Sequence, residues 1–116
     1  MHELSIAQSM IELIESEASR HAARRIRKVR LVVGEMSAVV PEALQFCFEV
    51  ASEGTVAEGA GLEIEKRPLK ARCKACGRAF AVQDYAFICP SCGGYHTETI
   101  SGNELYVDCI EIDDVE

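Results

Sequence analysis

Four of the six cysteines fall into two matched pairs, Cys73-Lys74-Ala75-Cys76-Gly77 and Cys89-Pro90-Ser91-Cys92-Gly93. Two residues lie inside each pair and twelve separate the pairs. A two-residue gap lets both thiolates of a tight turn face one ion. Glycine after the second cysteine frees the backbone to curl beneath the sulfurs. Two such turns close a tetrahedron of four sulfurs. That donor set fits Zn²⁺, and a closed shell marks a structural rather than a catalytic site. Four thiolates also hold iron, so a rubredoxin-type centre is the chemical rival, and the colour of the protein separates the two. A pair of disulfides is the remaining alternative, and a cytosolic setting argues against it. Lys74 and Arg78 partly offset the negative charge of four thiolates around a divalent ion. Cys47 and Cys109 have no spaced partner and lie in apolar patterns, so both are expected to be small buried hydrophobes.

His2 is the second residue of chemical interest. A lone histidine near a terminus is ordinarily a surface side chain. Here its imidazole and its own backbone nitrogen can close a six-membered chelate ring. The Met1 amine and the Glu3 amide nitrogen can extend that ring. Nitrogen donors in a plane favour Ni²⁺ or Cu²⁺. Such amides must lose their protons, and the metal must drive that loss.

The elements that would position these groups follow from periodicity. From Glu3 to about Arg20, Leu4, Ala7, Ile11, Ile14 and Ala18 recur at helical steps, with Met10 and Leu13 widening the stripe. Ser5 and Gln8 have the spacing of a capping box. From Ile26 to Val33 the period becomes two, with Val29, Leu31 and Val33 against Lys28, Arg30 and Val32, which predicts a strand ending at Gly34. Pro41 suits the first turn of a second helix, whose buried side is Leu44, Phe48 and Ala51, with Gly54 as its stop. Leu62 and Ile64 mark a second strand, and Leu105, Val107 and Cys109 a third. The alternation breaks at Ile110, which either a bulge or two-sided burial explains.

The fold class expected is α+β. Residues 1–68 and 102–116 form two helices on a three-stranded sheet, and residues 69–101 are an inserted zinc-ribbon module. A segment that short buries too little apolar surface to hold itself folded without a staple, and the four cysteines supply one.

Composition limits the functions open to the chain. It has 116 residues, 48% of them hydrophobic, and a net charge of −7. No apolar run is long enough to span a membrane. Met1-His2-Glu3-Leu4 lacks the pattern of a signal peptide, so a cytoplasmic location is expected. All twelve Lys and Arg lie in two clusters, six from Arg20 to Arg30 and six from Lys66 to Arg78, while eight acids follow Arg78. These clusters are either solvated faces or a polar surface that orients a protein partner. The basic stretch Lys66–Arg78 supports a rival reading, a nucleic-acid-binding zinc ribbon. The acidic whole and the scarcity of aromatic residues argue against that reading. No phosphate-binding loop of the G-x4-G-K-S/T form is present, and no nucleophilic triad stands out, so the chain is not expected to be an enzyme.

Met1-His2-Glu3 at the start, the two cysteine pairs, Gly34-Glu35-Met36-Ser37 after the first strand and Ser101-Gly102-Asn103-Glu104-Leu105 after the module resemble the HypA/HybF family. Members of that family are accessory proteins for nickel insertion into [NiFe] hydrogenases. The resemblance spans the whole chain. It implies a nickel metallochaperone that binds Ni(II) at His2, with backbone nitrogens of His2 and Glu3 and the Met1 amine as further donors. Cys73, Cys76, Cys89 and Cys92 would be the ligands of a structural Zn(II). The partners implied are a nickel-binding GTPase accessory protein and the hydrogenase large-subunit precursor. Some members add a carboxylate after the first strand, where this chain has Val39 and Val40. His96 is expected to face solvent, the alternative being a swing to nickel if the zinc module folds back on the N-terminus, and His21 to sit favourably at a helix C-terminus.

Overall fold

The computed structural model describes residues 3–113. Its elements in order are α1 (Glu3–Arg20), β1 (Ile26–Gly34), a single 3-10 turn (Glu35–Ser37), α2 (Pro41–Ser52), β2 (Gly61–Arg67), β3 (Lys70–Cys73), β4 (Ala79–Ala81), β5 (Thr97–Ser101) and β6 (Leu105–Ile112). They form two three-stranded sheets, one ordered β2-β1-β6 and the other β4-β3-β5. The class is α+β, with a four-cysteine ribbon inserted between β2 and β6. No helix among the described residues is long and apolar enough to cross a membrane.

The chain divides into two compact units, residues 1–32, 39–65 and 106–116, and residues 33–38 and 66–105. In the first, α1 turns Ala7, Met10, Ile11, Ile14 and Ala18 inward, as its periodicity requires. Leu4 and Leu13 lie at the margins of that stripe and stay exposed. Ser5 falls inside α1 rather than before it, so the Ser5–Gln8 pair does not cap the helix. The other end of α1 closes without a glycine. Ala22 adopts φ 52°, and the Ala23 N–H reaches back to the Ala18 carbonyl at 2.8 Å. This bond satisfies a carbonyl that the last turn would otherwise leave open.

Helix α2 begins at Pro41, where the missing N–H costs nothing. Leu44 and Phe48 are buried, and the third inward position is Ser52 rather than Ala51. Ser52 donates its hydroxyl to the Glu49 carbonyl at 2.9 Å, which makes its burial tolerable. Strand β1 is the middle strand of its sheet, and Val32 is buried along with Val29, Leu31 and Val33. Strand β6 is an outer strand, so its side chains gain strand neighbours on one side only. Cys109 is accordingly exposed rather than buried, and Cys47 is only half-buried.

In the second unit, β3 pairs antiparallel with both β4 and β5. The alternation Leu69, Ala71, Cys73 on one side of this ribbon meets Phe80, Val82 and Cys89 to form a six-residue interior, with Phe87 against it. Residues 33–38 belong to this unit through backbone bonds. The Gly34 N–H meets the Glu104 carbonyl, and the Met36 N–H meets the Gly102 carbonyl, each at 2.7 Å. The Glu35 carboxylate accepts the Leu69 N–H at 3.1 Å. A Cβ on Gly34 would stand 2.1 Å from the Gly102 oxygen, and one on Gly102 would stand 2.6 Å from the Leu69 Cα. Both positions therefore require glycine.

Candidate metal centre

The two cysteine pairs form matching turns. In the first, the Gly77 N–H meets the Cys73 carbonyl at 2.8 Å and the Cys73 N–H meets the Arg78 carbonyl at 2.9 Å. In the second, the Gly93 N–H meets the Cys89 carbonyl at 2.9 Å and the Cys89 N–H meets the Gly94 carbonyl at 2.8 Å. Gly77 and Gly93 carry φ of 79° and 72°, a conformation that favours glycine. The arginine side chain adds a tie between the turns, because the Arg78 guanidinium donates to the Ser91 hydroxyl.

These turns bring Cys73, Cys76, Cys89 and Cys92 together, with all four sulfurs within 4.8 Å of one another. The Cys73–Cys92 separation is 3.5 Å and the Cys76–Cys89 separation is 3.6 Å. A tetrahedron with zinc–sulfur bonds of about 2.3 Å has edges of about 3.8 Å, so the donor set fits a single tetrahedral ion. All six cysteines are free thiols.

The backbone prepares the sulfurs unequally. The Cys73 thiol is lowered chiefly by the Cys76 N–H, and the Cys89 thiol is lowered to about 6 chiefly by the Cys92 N–H. Cys92 is raised to about 11: the Gly94 N–H lowers it, but the Cys73 and Cys89 thiols and burial outweigh that contact. Cys76 is also raised, because Cys89, burial and Cys73 together outweigh the Arg78 N–H. One sulfur of each turn is thus shifted toward the thiolate and the other toward the thiol. Metal uptake at such a site releases protons.

Met1 and His2 lie outside the described residues. Glu3 opens α1, and its Oε2 accepts the backbone N–H of Val40 at 3.1 Å. Val40 is the N-cap of α2, so the carboxylate fixes the first turn of one helix to the entry of the other. Sequence reasoning missed this contact because the partners are 37 positions apart and one is a backbone group. It also missed the carboxylate role of Glu35. His96 is exposed, and its carbonyl accepts the Lys74 N–H at 2.8 Å. His21 is exposed just beyond α1, with its N–H on the Glu17 carbonyl at 3.2 Å.

Residues 1–112 match the family described as "Hydrogenase/urease nickel incorporation, metallochaperone, hypA". The hydrogenase maturation factor HypA of Dehalococcoides mccartyi strain 195 is 40% identical over 114 residues, covering 98% of this chain and 96% of that protein. The HypA of Geobacter sulfurreducens is 44% identical over 113 residues, covering 97% of this chain and 100% of that protein. The solution structure of the Ni metallochaperone HypA from Helicobacter pylori is similar at a TM-score of 0.67 and 27% identity, over 97% of each chain. A second solution structure of a HypA protein gives a TM-score of 0.74 at 29% identity, over 97% of this chain and 96% of that one. The chain therefore belongs to the HypA family of hydrogenase and urease nickel-incorporation metallochaperones.

Proposed function

We propose that the chain carries Ni²⁺ as cargo at its N-terminus for [NiFe] hydrogenase maturation, while a resident Zn²⁺ holds the four-cysteine unit folded. The observation that carries this reading is the family match over residues 1–112, which takes in Met1-His2-Glu3 as well as both cysteine pairs. The Helicobacter pylori relative, described as a Ni metallochaperone, supports it. In this reading the nickel role falls to residues 1–68 and 102–116, and the zinc role to residues 69–101.

The nickel donors are the His2 imidazole, the backbone nitrogens of His2 and Glu3, and the Met1 amine. Glu3 lies in the first turn of α1, where intrahelical bonding makes no claim on an amide nitrogen. Its carboxylate, engaged by Val40, steadies that turn while the backbone nitrogen serves the ion. Few ligands near a chain end leave the ion open to attack, so a partner can take it. Tight enclosure would defeat delivery. The four-sulfur site is the opposite case: it is closed, and its task is to hold structure. Zinc there supplies the cross-link between the two cysteine turns. The partners are a nickel-binding GTPase accessory protein and the hydrogenase large-subunit precursor, met in the cytoplasm. The test is metal analysis of the purified chain followed by Ni²⁺ titration. The wild type should hold one zinc and bind nickel. His2→Ala should keep the zinc and lose the nickel. Unchanged nickel affinity in that variant would reject the site.

A further inference from the structure

Charge is divided unequally between the two units. The first has fifteen Asp and Glu against six Lys and Arg, and the second has six Lys and Arg against four Asp and Glu. The two sheets also treat their cations differently. On β1, Arg27 pairs with Glu111, Lys28 with Glu63, and Arg30 with Glu65. On β3, Lys70 and Arg72 are exposed, and among the described residues neither side chain has an ion pair or hydrogen bond. Lys74, two residues on, is likewise exposed and unpaired among them.

The neighbours in register leave these cations uncovered. Lys70 lies opposite Ala81 and Ser101, and Arg72 opposite Ala79 and Glu98. Ala79 and Ala81 are exposed and too short to screen the cations beside them. Positions two apart on a strand share a face at a spacing of about 6.6 Å, which is also the repeat of alternate side chains in any extended peptide.

We propose that this face of β3 docks an acidic, extended segment of a protein partner, whose alternate carboxylates meet Lys70 and Arg72. Two features favour a peptide over a polynucleotide. Glu98 stands in register with Arg72, where an unbroken phosphate chain would meet like charge but a peptide can present a neutral residue. No aromatic side chain lies in register with either cation to stack a base. The surface uses no nickel or zinc donor, so it stands apart from the nickel reading.

The test uses the full, zinc-loaded chain and a fluorescein-labelled peptide of alternating Glu and Thr, about ten residues long to span the strand. Binding is followed by anisotropy at low salt. Lys70→Glu with Arg72→Glu should weaken binding at least about tenfold with zinc content unchanged. The milder Lys70→Gln with Arg72→Gln should weaken it at least about threefold, which guards against a folding defect in the reversal. Arg24→Glu with Arg25→Glu alters net charge equally and should stay within about twofold of wild type. His2→Ala should bind the peptide as wild type does. Equal loss in the Arg24/Arg25 variant, or no loss in the Lys70/Arg72 variants, would overturn the proposal. So would tighter binding of an oligothymidylate of matched charge through the same residues, or self-association that depends on Lys70 and Arg72.

Discussion

Cys73 lies both in the four-sulfur cluster and in the six-residue interior of the second unit. Its thiol therefore answers to metal and to packing together. In the proposed reading, an ion there would decide whether a unit with so small an interior folds, since apparent zinc free energies in small fingers run to about 10–16 kcal/mol. Cys73→Ser should release zinc and loosen residues 66–105 while leaving α1 and α2 formed, as hydrogen exchange would report. Full zinc content in that variant would contradict the assignment. The clustering of the four cysteines was legible because their spacing is a matter of local chain geometry. Cys109 was misread because alternation cannot tell an outer strand from a middle one.

A second residue-scale expectation concerns Lys28 and Glu63, which pair at 2.8 Å across β1 and β2. The Lys28 ammonium, through its hydrogen bond first and its charge second, holds the Glu63 carboxyl below its usual value. The same bond, then the same charge, raises Lys28. The carboxylate's share of stability is present above its unfolded value and lost as pH falls through the lowered one. The ammonium's share is present below its unfolded value and lost as pH rises through the raised one. Both groups are exposed, so the pair is screened by solvent and salt. Lys28→Ala should move the Glu63 titration, followed by carboxyl NMR, upward toward the ordinary carboxylate range, with the Arg30 charge still lowering it. A titration unmoved by the substitution would show that another group sets it.

At the scale of elements, both helices and the strands β1, β2 and β6 were readable, because each runs long enough for its period to show. The short strands β3, β4 and β5 were not, because runs of four, three and five residues leave little periodic signal. The end of α1 gave no glycine to mark it, yet Ala22 takes the left-handed conformation that glycine usually fills. Ala22→Gly should raise stability by roughly 0.5–1 kcal/mol in denaturant melts, as the strain on Cβ is relieved. A loss of stability would mean that Ala22 packs better than its exposure indicates. Gly102 is the contrary case. With φ at 111° and backbone 2.6 Å from any added Cβ, Gly102→Ala should cost on the order of 2–3 kcal/mol. Gly54→Ala, at φ 76° with open space around it, should cost about 1 kcal/mol and serves as the control. Equal costs at the two sites would show that the close approach carries no weight. The motifs Gly34-Glu35-Met36-Ser37 and Ser101-Gly102-Asn103-Glu104 thus each supply a glycine for a close approach, Gly34 admitting the Gly102 backbone and Gly102 admitting Leu69.

For the molecule as a whole, the net charge of −7 conceals an acidic first unit and a second with surplus cations. Composition alone showed the clusters but not which cations were neutralised, because ion pairing across strands depends on register. The central claim is that nickel is held by the chain end itself, with Met1, His2 and Glu3 as donors. It is tested most directly by Ni²⁺ titration of three zinc-loaded forms: a chain starting at Met1, the same chain with a short Gly-Ser extension before Met1, and one with an equal extension after Glu116. The extension before Met1 converts the amine to an amide and crowds His2 while leaving every side chain in place. It should weaken nickel binding and shift or abolish the planar Ni²⁺ absorption band, whereas the extension after Glu116 should do neither. Equal affinity and identical spectra in all three would show that the terminal amine is no donor and would contradict the account.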